Sequence, residues 1–349
     1  MTTALEDIDK TLFKNILNTF GSMSEEDNVI EIAKKEMEKY SNNVYVTKSK
    51  NLVCEMGNKD AKNHIMLDAH LDQICLIVTH ICNNGFLKFS SCGGIDARIL
   101  PGKLVKILSE KEIYGIIAVA PSNVLKNKDK DYQSIDELLI DVGLTKKEAC
   151  TLIPIGTKIA FDSKAEELLN KRVVSKAIDN RASVIALLNC AKMLEKIDFK
   201  NTKLSILLST GEEINAFGAK TGSYDLNPDI ALAVDVSFAT QPNIDDENKG
   251  KFNKGPMIGI SPCICKEISS KLIEISRQIN IPYQFEVMAQ KTGTNADSIS
   301  ITKNGIKTGL VSIPIRYMHT MVETVDIKDI EYTSKLITNF VKYYVEVLS

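Results

Sequence analysis

Seven acidic and histidine side chains lie at or near the ends of apolar runs, where they could form a hydrolytic site with two metal ions. Apolar runs of this length are typical of buried strands, and open α/β sheets bind ligands outside the carboxyl ends of their strands. Histidine and carboxylate ligands without thiolates suit zinc, cobalt or manganese. The seven residues are His70, Asp72, Asp179, Glu212, Glu213, Asp235 and His319.

The first two of these residues, His70 and Asp72, close an apolar run that begins at Ile65. Alternate residues of a strand point to the same side, so both side chains can face the site while Leu71 faces away. A metal-bound imidazole commonly donates its other N–H to a carboxylate, and Asp72 has the spacing for that role. The alternative is a strand-end histidine beside a solvated aspartate.

Three further carboxylates follow predicted strands. Asp179 lies between the apolar run 173–178 and a helical stretch, where it could bridge two cations or, alternatively, only cap the helix. Glu212 and Glu213 follow the run 204–209. Neighbouring side chains diverge in direction, so one glutamate can bind metal while the other accepts a proton from water. An exposed acidic turn is the alternative for this pair.

Asp235 lies inside the apolar run 231–236, where a carboxylate must find partners or bind a cation because burying it alone is costly. His319 follows the run 310–315 and is either a ligand or a structural histidine. The four positive charges of two divalent ions would be balanced by the negative charges of Asp179, Glu213, Asp235 and one bridging hydroxide. Without metal these carboxylates would repel one another, which favours a cation site.

Alternating strands and helices are predicted to position these residues. Residues 12–37 are predicted to form two helices, followed by a hairpin over 44–53 and a strand over 65–70. Further along, the predicted strands are 204–209, 230–236 and 310–315, and the predicted helices are 182–197, 269–279 and 327–348. Such alternation is typical of a largely parallel α/β sheet with helices on both faces.

The pattern changes between residue 74 and about residue 164, where short apolar runs alternate with turn signals. The runs are 74–78, 86–89, 104–108 and 113–119, and the turn signals include Asn83-Asn84-Gly85, Gly93-Gly94 and Pro101-Gly102. This pattern favours a small β-rich module inserted into an α/β domain.

The composition excludes several classes of protein. A chain of 349 residues predicts two domains, or one large domain with an insertion. The net charge of -2 offers no basic surface for nucleic acid, so we expect no such partner. The charged N-terminal stretch is unlike a secretory signal, and no apolar run is long enough to cross a membrane. We therefore expect a cytoplasmic protein without membrane contact.

The eight cysteines show neither a Cys-x-x-Cys pair nor the regular spacing of a disulfide framework. We expect them to be reduced core residues. Cys263 and Cys265 are the closest pair, and we expect a structural role for them rather than a redox or metal role.

Over nearly its whole length the chain resembles the M42 family of di-metal aminopeptidases, the group of glutamyl and tetrahedral aminopeptidases. The order and spacing of the matching segments are highly specific. These segments are Ala69-His70-Leu71-Asp72, Gly93-Gly94, Ala177-Ile178-Asp179-Asn180-Arg181, Gly211-Glu212-Glu213, Val234-Asp235-Val236, Lys254-Gly255-Pro256 and Ile313-Pro314-Ile315-Arg316-Tyr317-Met318-His319-Thr320.

The resemblance implies a role for each residue of the site. His70 and Asp235 would complete one metal site and Glu213 and His319 the other, with Asp179 bridging the two ions. Glu212 would be the general base, and Asp72 would support His70. The ions would be zinc, cobalt or manganese.

The resemblance also implies the architecture and the partners. Residues 1–72 and 165–349 would form a three-layer α/β catalytic domain like that of other zinc exopeptidases. Residues 73–164 would form an inserted β-barrel-like domain for dimerisation and assembly. Such enzymes often assemble through the insert into twelve-subunit tetrahedral shells, so the resemblance implies a homo-oligomer, with dimers and dodecamers both left open for this chain. The substrates would be peptides with a free N-terminus.

Three segments depart from the family pattern, one of which is Ile214-Asn215-Ala216-Phe217 in place of the family's more usual Val-Gly start after Glu213. Where the family usually has Gly-Thr-Asp-Ala, this chain has Asn295 in place of the aspartate, and its insert carries Pro121-Ser122-Asn123 instead of Pro-Pro-His. Two rival functions stay open: an amidohydrolase or deacylase of the wider zinc exopeptidase superfamily, and a catalytically silent assembly protein. Intact Glu212 and the five candidate ligands favour a metallo-aminopeptidase that removes N-terminal residues.

Overall fold

The computed structural model describes residues 8–119, 132–244 and 249–348. The described residues form two compact units. The first takes in the described parts of Met1–Gln73, Ala165–Met318 and Val322–Ser349, and the second those of Ile74–Lys164 and His319–Met321. Pro121-Ser122-Asn123, one of the segments that differ from the family pattern, lies outside the described ranges.

The described ranges contain strands β1 to β17 and α-helices α1 to α9. The strands are β1 (Asn43–Val46), β2 (Leu52–Gly57), β3 (Asn63–His70), β4 (Cys75–Ile81), β5 (Leu87–Cys92), β6 (Leu104–Leu108), β7 (Glu112–Ala118), β8 (Leu139–Asp141), β9 (Lys158–Phe161), β10 (Glu166–Leu168), β11 (Arg172–Ser175), β12 (Thr202–Ser209), β13 (Ile230–Phe238), β14 (Met257–Ile260), β15 (Gln284–Val287), β16 (Lys307–Arg316) and β17 (Glu323–Asp326). The helices are α1 (Lys10–Asn18), α2 (Asp27–Met37), α3 (Lys146–Leu152), α4 (Ile178–Leu194), α5 (Glu212–Asn215), α6 (Phe217–Leu226), α7 (Lys266–Gln278), α8 (Asn295–Ser300) and α9 (Ile327–Val347).

The first unit contains a sheet of eleven strands in the order β1-β2-β12-β3-β13-β16-β17-β11-β10, with β14 pairing with β16 and β15. Its central strands β12, β3, β13 and β16 are parallel. The prediction of a largely parallel sheet is therefore right only for the centre. The flanking pairs β1–β2 and β10–β11 are antiparallel, because a tight turn can join only antiparallel strands.

Apolar clusters cover both faces of this sheet. Ile65 and Leu67 of β3 belong to one cluster, and Met66 between them belongs to another, as the alternation of a strand requires. Helices α1, α4 and α9 contribute to the first cluster, whereas Ala219 of α6 and Ile299 of α8 belong to the second. No helix in the described part of the chain has the length and apolar character needed to cross a membrane.

The second unit contains a closed barrel with the strand order β4-β5-β8-β7-β6-β9. Its core is built from inward-facing residues such as Leu76, Val78, Leu87 and Phe89. The four apolar runs predicted in this segment correspond to β4 to β7, whereas β8 and β9 were not predicted. The β-rich module expected from the sequence is thus a six-stranded barrel.

None of the eight cysteines is in a disulfide, but only three of them are buried. Cys54, Cys75 and Cys190 are core residues, and Cys150 and Cys263 are exposed. The prediction that the cysteines are core residues is therefore wrong for these two, whereas Cys82, Cys92 and Cys265 are partly buried. Their positions on short strands, turns and helix ends leave them at or near the surface.

Candidate metal and catalytic site

His70 and Asp235 are brought together by adjacent parallel strands. His70 is the last residue of β3, and the register of β3 with β13 pairs Asp68 with Ala233. Asp235 therefore lies level with His70, two residues further along each strand. The His70 Nε2 atom is 3.8 Å from Asp235 Oδ1, and both side chains are buried.

Asp179 reaches the same point from the start of α4. Its backbone and that of Asn180 are not helical, and the peptide bond between them is cis. Asp179 Oδ1 lies 3.2 Å from His70 Nε2. Asn180 Nδ2 donates a hydrogen bond to Val234 O at 2.9 Å, which ties this irregular segment to β13.

The side chains of His70, Asp179 and Asp235 form a group that fits a cation. One potential ligand atom from each lies within 4.8 Å of the others. Burial raises the pKa of Asp235 well above its usual range, and the negative charges of Glu212 and Asp179 raise it further, although His70 opposes this. A divalent ion would offset that repulsion, and imidazole and carboxylate are suitable donors for it.

Glu212 and Glu213 begin α5, directly after Gly211, whose φ is +67°. Glu212 Oε2 lies 3.8 Å from His70 Nε2, so this carboxylate faces the same group. The Glu212 N–H donates to Asp72 Oδ1 at 3.0 Å, and the Glu213 N–H donates to Asp72 Oδ2 at 3.1 Å. Asp72 therefore holds the first turn of this short helix.

Asp72 also contacts His70. Its Oδ1 atom lies 3.4 Å from His70 Nδ1, the ring nitrogen that faces away from Asp179 and Asp235. Burial lowers the pKa of His70. The hydrogen bonds that its ring donates to Asp179 and Asp72, together with the charges of Glu212 and Asp235, outweigh this effect and raise that pKa well above its usual range. The ring is thus held between carboxylates on both of its nitrogens.

His319 belongs to the unit that contains the barrel. Its Nδ1 atom lies 2.7 Å from Gly94 O, and a Cβ atom on Gly94 would lie only 3.0 Å from that nitrogen. The absence of a side chain at Gly94 is therefore what lets the ring approach the Gly93-Gly94 backbone. The role of His319 as a metal ligand stays a prediction.

Two buried carboxylates near the site were not predicted from the sequence. Glu323 of β17 accepts the Asp179 N–H at 3.0 Å. Asp68 of β3 accepts a hydrogen bond from Asn295 Nδ2 at 2.8 Å, and burial raises its pKa to about 6. The sequence signals only Asp68, as an acidic residue in a largely apolar strand, since β17 reads Glu-Thr-Val-Asp and gives no such signal for Glu323.

Known proteins resemble this chain over most of its length. The family model described as M42 glutamyl aminopeptidase matches residues 50–336. The lysyl aminopeptidase of Pyrococcus furiosus is 30% identical over 94% of this chain and 95% of its own length.

Two solved structures extend the comparison. An aminopeptidase from Desulfurococcus kamchatkensis is 30% identical with a TM-score of 0.89, and the match covers 97% of both chains. The TET1 peptidase of Pyrococcus horikoshii, which can assemble into a tetrahedron or a large octahedral shell, is 28% identical with a TM-score of 0.84, over 95% of this chain and 98% of that one. The chain therefore belongs to the M42 peptidase family and is a peptide hydrolase.

Proposed function

We propose that this protein is a di-metal aminopeptidase that hydrolyses the N-terminal residue from peptides with a free amino group. The observation that carries the proposal is the convergence of His70, Asp179 and Asp235 in a buried group beside Glu212. The similarity to aminopeptidases in sequence and fold supports it. We extend the proposal to a three-layer arrangement like that of other zinc exopeptidases, which the apolar clusters on both sheet faces support.

In this proposal His70 and Asp235 hold one metal ion, Glu213 and His319 hold the other, and Asp179 bridges them. The buried donor set of His70, Asp179 and Asp235 supports the first assignment. The match of the segments around Glu213 and His319 to the family pattern supports the second. Zinc, cobalt and manganese all suit imidazole and carboxylate donors.

The residues of this chain then divide the work of hydrolysis. Bound metals would polarise the scissile carbonyl and lower the pKa of water. Glu212 accepts a proton from the attacking water and delivers it to the departing amine as the C–N bond breaks. Asp72 orients His70 and the first turn of α5, so that the Glu212 carboxylate stays aimed at the reacting atoms.

A release assay tests the proposal. The protein is stripped with chelator and reloaded with zinc, cobalt or manganese, and aminoacyl p-nitroanilides are compared with N-acetylated controls. We expect metal to restore activity only on substrates with a free amino group. Activity restricted to the acetylated substrates would instead indicate a deacylase, and a lack of activity with every metal would indicate a catalytically silent protein.

We also propose that residues 73–164 form an assembly domain for a homo-oligomer. Leu104 and Ile116 lie opposite each other on β6 and β7, and Tyr114 shares their face of the barrel. These side chains are 55%, 40% and 56% exposed, so they form an apolar strip that a second copy could cover. The shells formed by the Pyrococcus horikoshii peptidase support this role.

Light scattering after size-exclusion chromatography tests this assembly. Ile116→Asp should yield a smaller species than the wild type, because it places a charge in the strip. Leu169→Asp is the control, since Leu169 is exposed in the first unit, and it should leave the mass unchanged. A wild-type monomer, or an Ile116→Asp variant of unchanged mass, would contradict the proposal.

A further inference from the structure

Two cysteines lie side by side on the barrel. Cys75 is in β4 and Cys92 is in β5, and the antiparallel register pairs them directly. Directly opposed residues have Cα atoms about 4.5 to 5.5 Å apart, within the range of about 4.4 to 6.8 Å that a disulfide spans. Neither sulfur is in a disulfide, and both lie on the same face of the β4–β5 ladder.

A lysine on the third strand approaches this pair. Lys158 of β9 pairs with Ile77, two residues beyond Cys75, so it lies on the same face as the two thiols. Its Nζ atom is 3.8 Å from Cys92 Sγ. Cys92 is half-buried whereas Cys75 is fully buried, so an oxidant from solvent meets Cys92 first.

The two thiols differ from the other buried cysteines in their surroundings. The hydrogen bond from Cys75 lowers the pKa of Cys92 to about 6, and the charge of Lys158 acts in the same direction against the effect of burial. By contrast, burial raises the pKa of Cys54 and of Cys190 to about 12. The lowered pKa of Cys92 favours the thiolate, which is the nucleophilic form of cysteine.

We propose that Cys75 and Cys92 are a redox-active pair that hydroperoxides oxidise to a disulfide, with Cys92 as the attacking sulfur and Cys75 as the resolving thiol. The Cys92 thiolate attacks the peroxide, an S–O bond forms as the O–O bond breaks, and the hydroxide released takes up a proton. The Cys75 sulfur then attacks the sulfenic acid, an S–S bond forms, and the S–O bond breaks with loss of water. Both sulfurs are oxidised, and one hydrogen peroxide becomes two waters.

Peptide mapping of the native protein after treatment with hydrogen peroxide tests the pair directly. Trypsin releases Cys92 in residues 89–98 and Cys75 in residues 63–88, but the second peptide also contains Cys82. The digestion is therefore carried out on Cys82→Ser. We expect the two peptides to be linked, with a loss of two hydrogens that dithiothreitol reverses. Separate peptides after peroxide would overturn the proposal.

The roles of the two sulfurs are tested on variants. In Cys75→Ser, dimedone should trap a sulfenic acid on Cys92, because the resolving thiol is missing. Lys158→Met should raise the pH midpoint of Cys92 alkylation by about one pH unit, because a nearby positive charge favours the thiolate. Lys147→Met on α3 is the control and should leave the midpoint unchanged. Two results would contradict the assigned roles. One is labelling of Cys75 by dimedone in the Cys92→Ser variant. The other is a pH midpoint for Cys92 alkylation in the wild type that is close to that of an ordinary thiol.

Discussion

The Asp72 carboxylate accepts the backbone N–H of Glu212 at 3.0 Å while it lies 3.4 Å from His70 Nδ1. One side chain therefore positions both the imidazole and the helix turn that carries the proposed general base. Asp72 is fully buried, so water does not compete for these contacts. Its position two residues after His70 is what allows a single carboxylate to serve both.

Asp72→Asn should lower kcat/KM and metal affinity by about 10- to 100-fold, as is typical when a residue that supports a metal ligand is changed. The amide keeps the shape of the carboxylate, but its NH₂ group faces a backbone N–H donor. Asp60→Asn, at an exposed position, is the control. Steady-state kinetics and metal titration measure the effect, and equal values for both variants would contradict the role of Asp72.

Glu212→Gln should reduce kcat by about 10²- to 10⁴-fold, because the amide cannot accept a proton from water. The metal content should stay that of the wild type, since Glu212 is not among the proposed ligands. Glu346→Gln changes an exposed glutamate and should keep full activity. An active Glu212→Gln enzyme with its metal bound would refute the assignment.

Adding metal to chelator-treated protein should raise its thermal stability, because the ion binds the folded site and offsets carboxylate repulsion. At a metal concentration of 100 times Kd the gain is about 2.7 kcal/mol. Asp235→Asn should lose most of this gain, because the group of His70, Asp179 and Asp235 then lacks one anionic donor. Differential scanning calorimetry measures both proteins, and an equal gain would exclude Asp235 as a ligand.

Asn295 should matter for stability because its Nδ2 donates to both Asp68 and Ser209 in a buried position. Asn295→Ala leaves Asp68 with one donor fewer and should cost about 1 to 3 kcal/mol. Asn295→Asp places a second carboxylate against Asp68 and should cost more than the alanine variant at pH 8. Urea unfolding compares the two, and a more stable aspartate variant would show that Asn295 does not relieve repulsion.

His64 should make the free energy of unfolding depend on pH. Burial, and then the charge of Lys203, lowers its pKa to about 4, and its Nε2 lies 2.7 Å from Ser205 Oγ. Between about pH 6.5 and pH 4 the unfolded chain binds a proton that the folded chain does not. Stability should therefore fall as the pH falls through this window, by an amount on the order of 3 kcal/mol.

Urea unfolding of metal-free protein at pH 7 and pH 4.5 measures this effect. Carboxylates also titrate in this range, so the informative quantity is the difference between the wild type and His64→Gln. The glutamine variant should lose less stability on acidification. His80→Gln, which changes an exposed histidine on the barrel, should behave as the wild type does. An equal loss of unfolding free energy between pH 7 and pH 4.5 in all three proteins would exclude His64 as a source of the pH dependence.

The predicted cytoplasmic location, the lack of a nucleic-acid partner and the metal-ligand roles of individual residues stay predictions. The family itself was predicted correctly from the order and spacing of its motifs, and the match over residues 50–336 confirms it.

Local periodicity was enough to place the central strands. Because the sheet's centre is buried on both faces, its strands are continuous apolar runs, and His70 was predicted as the end of the strand that is now β3. The short runs and turns predicted a β-rich insert, and only the family resemblance predicted its barrel form, because closure depends on pairings such as β4 with β9 between residues distant in sequence.

The sequence by itself determined which residues could bind a cation and which apolar runs carry them, because residue chemistry and periodicity are local properties. Only the tertiary structure decided that Asp72 contacts both His70 and Glu212, that Glu323 supports Asp179, and that Cys75 faces Cys92. These contacts join residues whose separations in the chain range from two to more than a hundred positions. Strand register and crossover connections set them, and a linear pattern does not encode those directly.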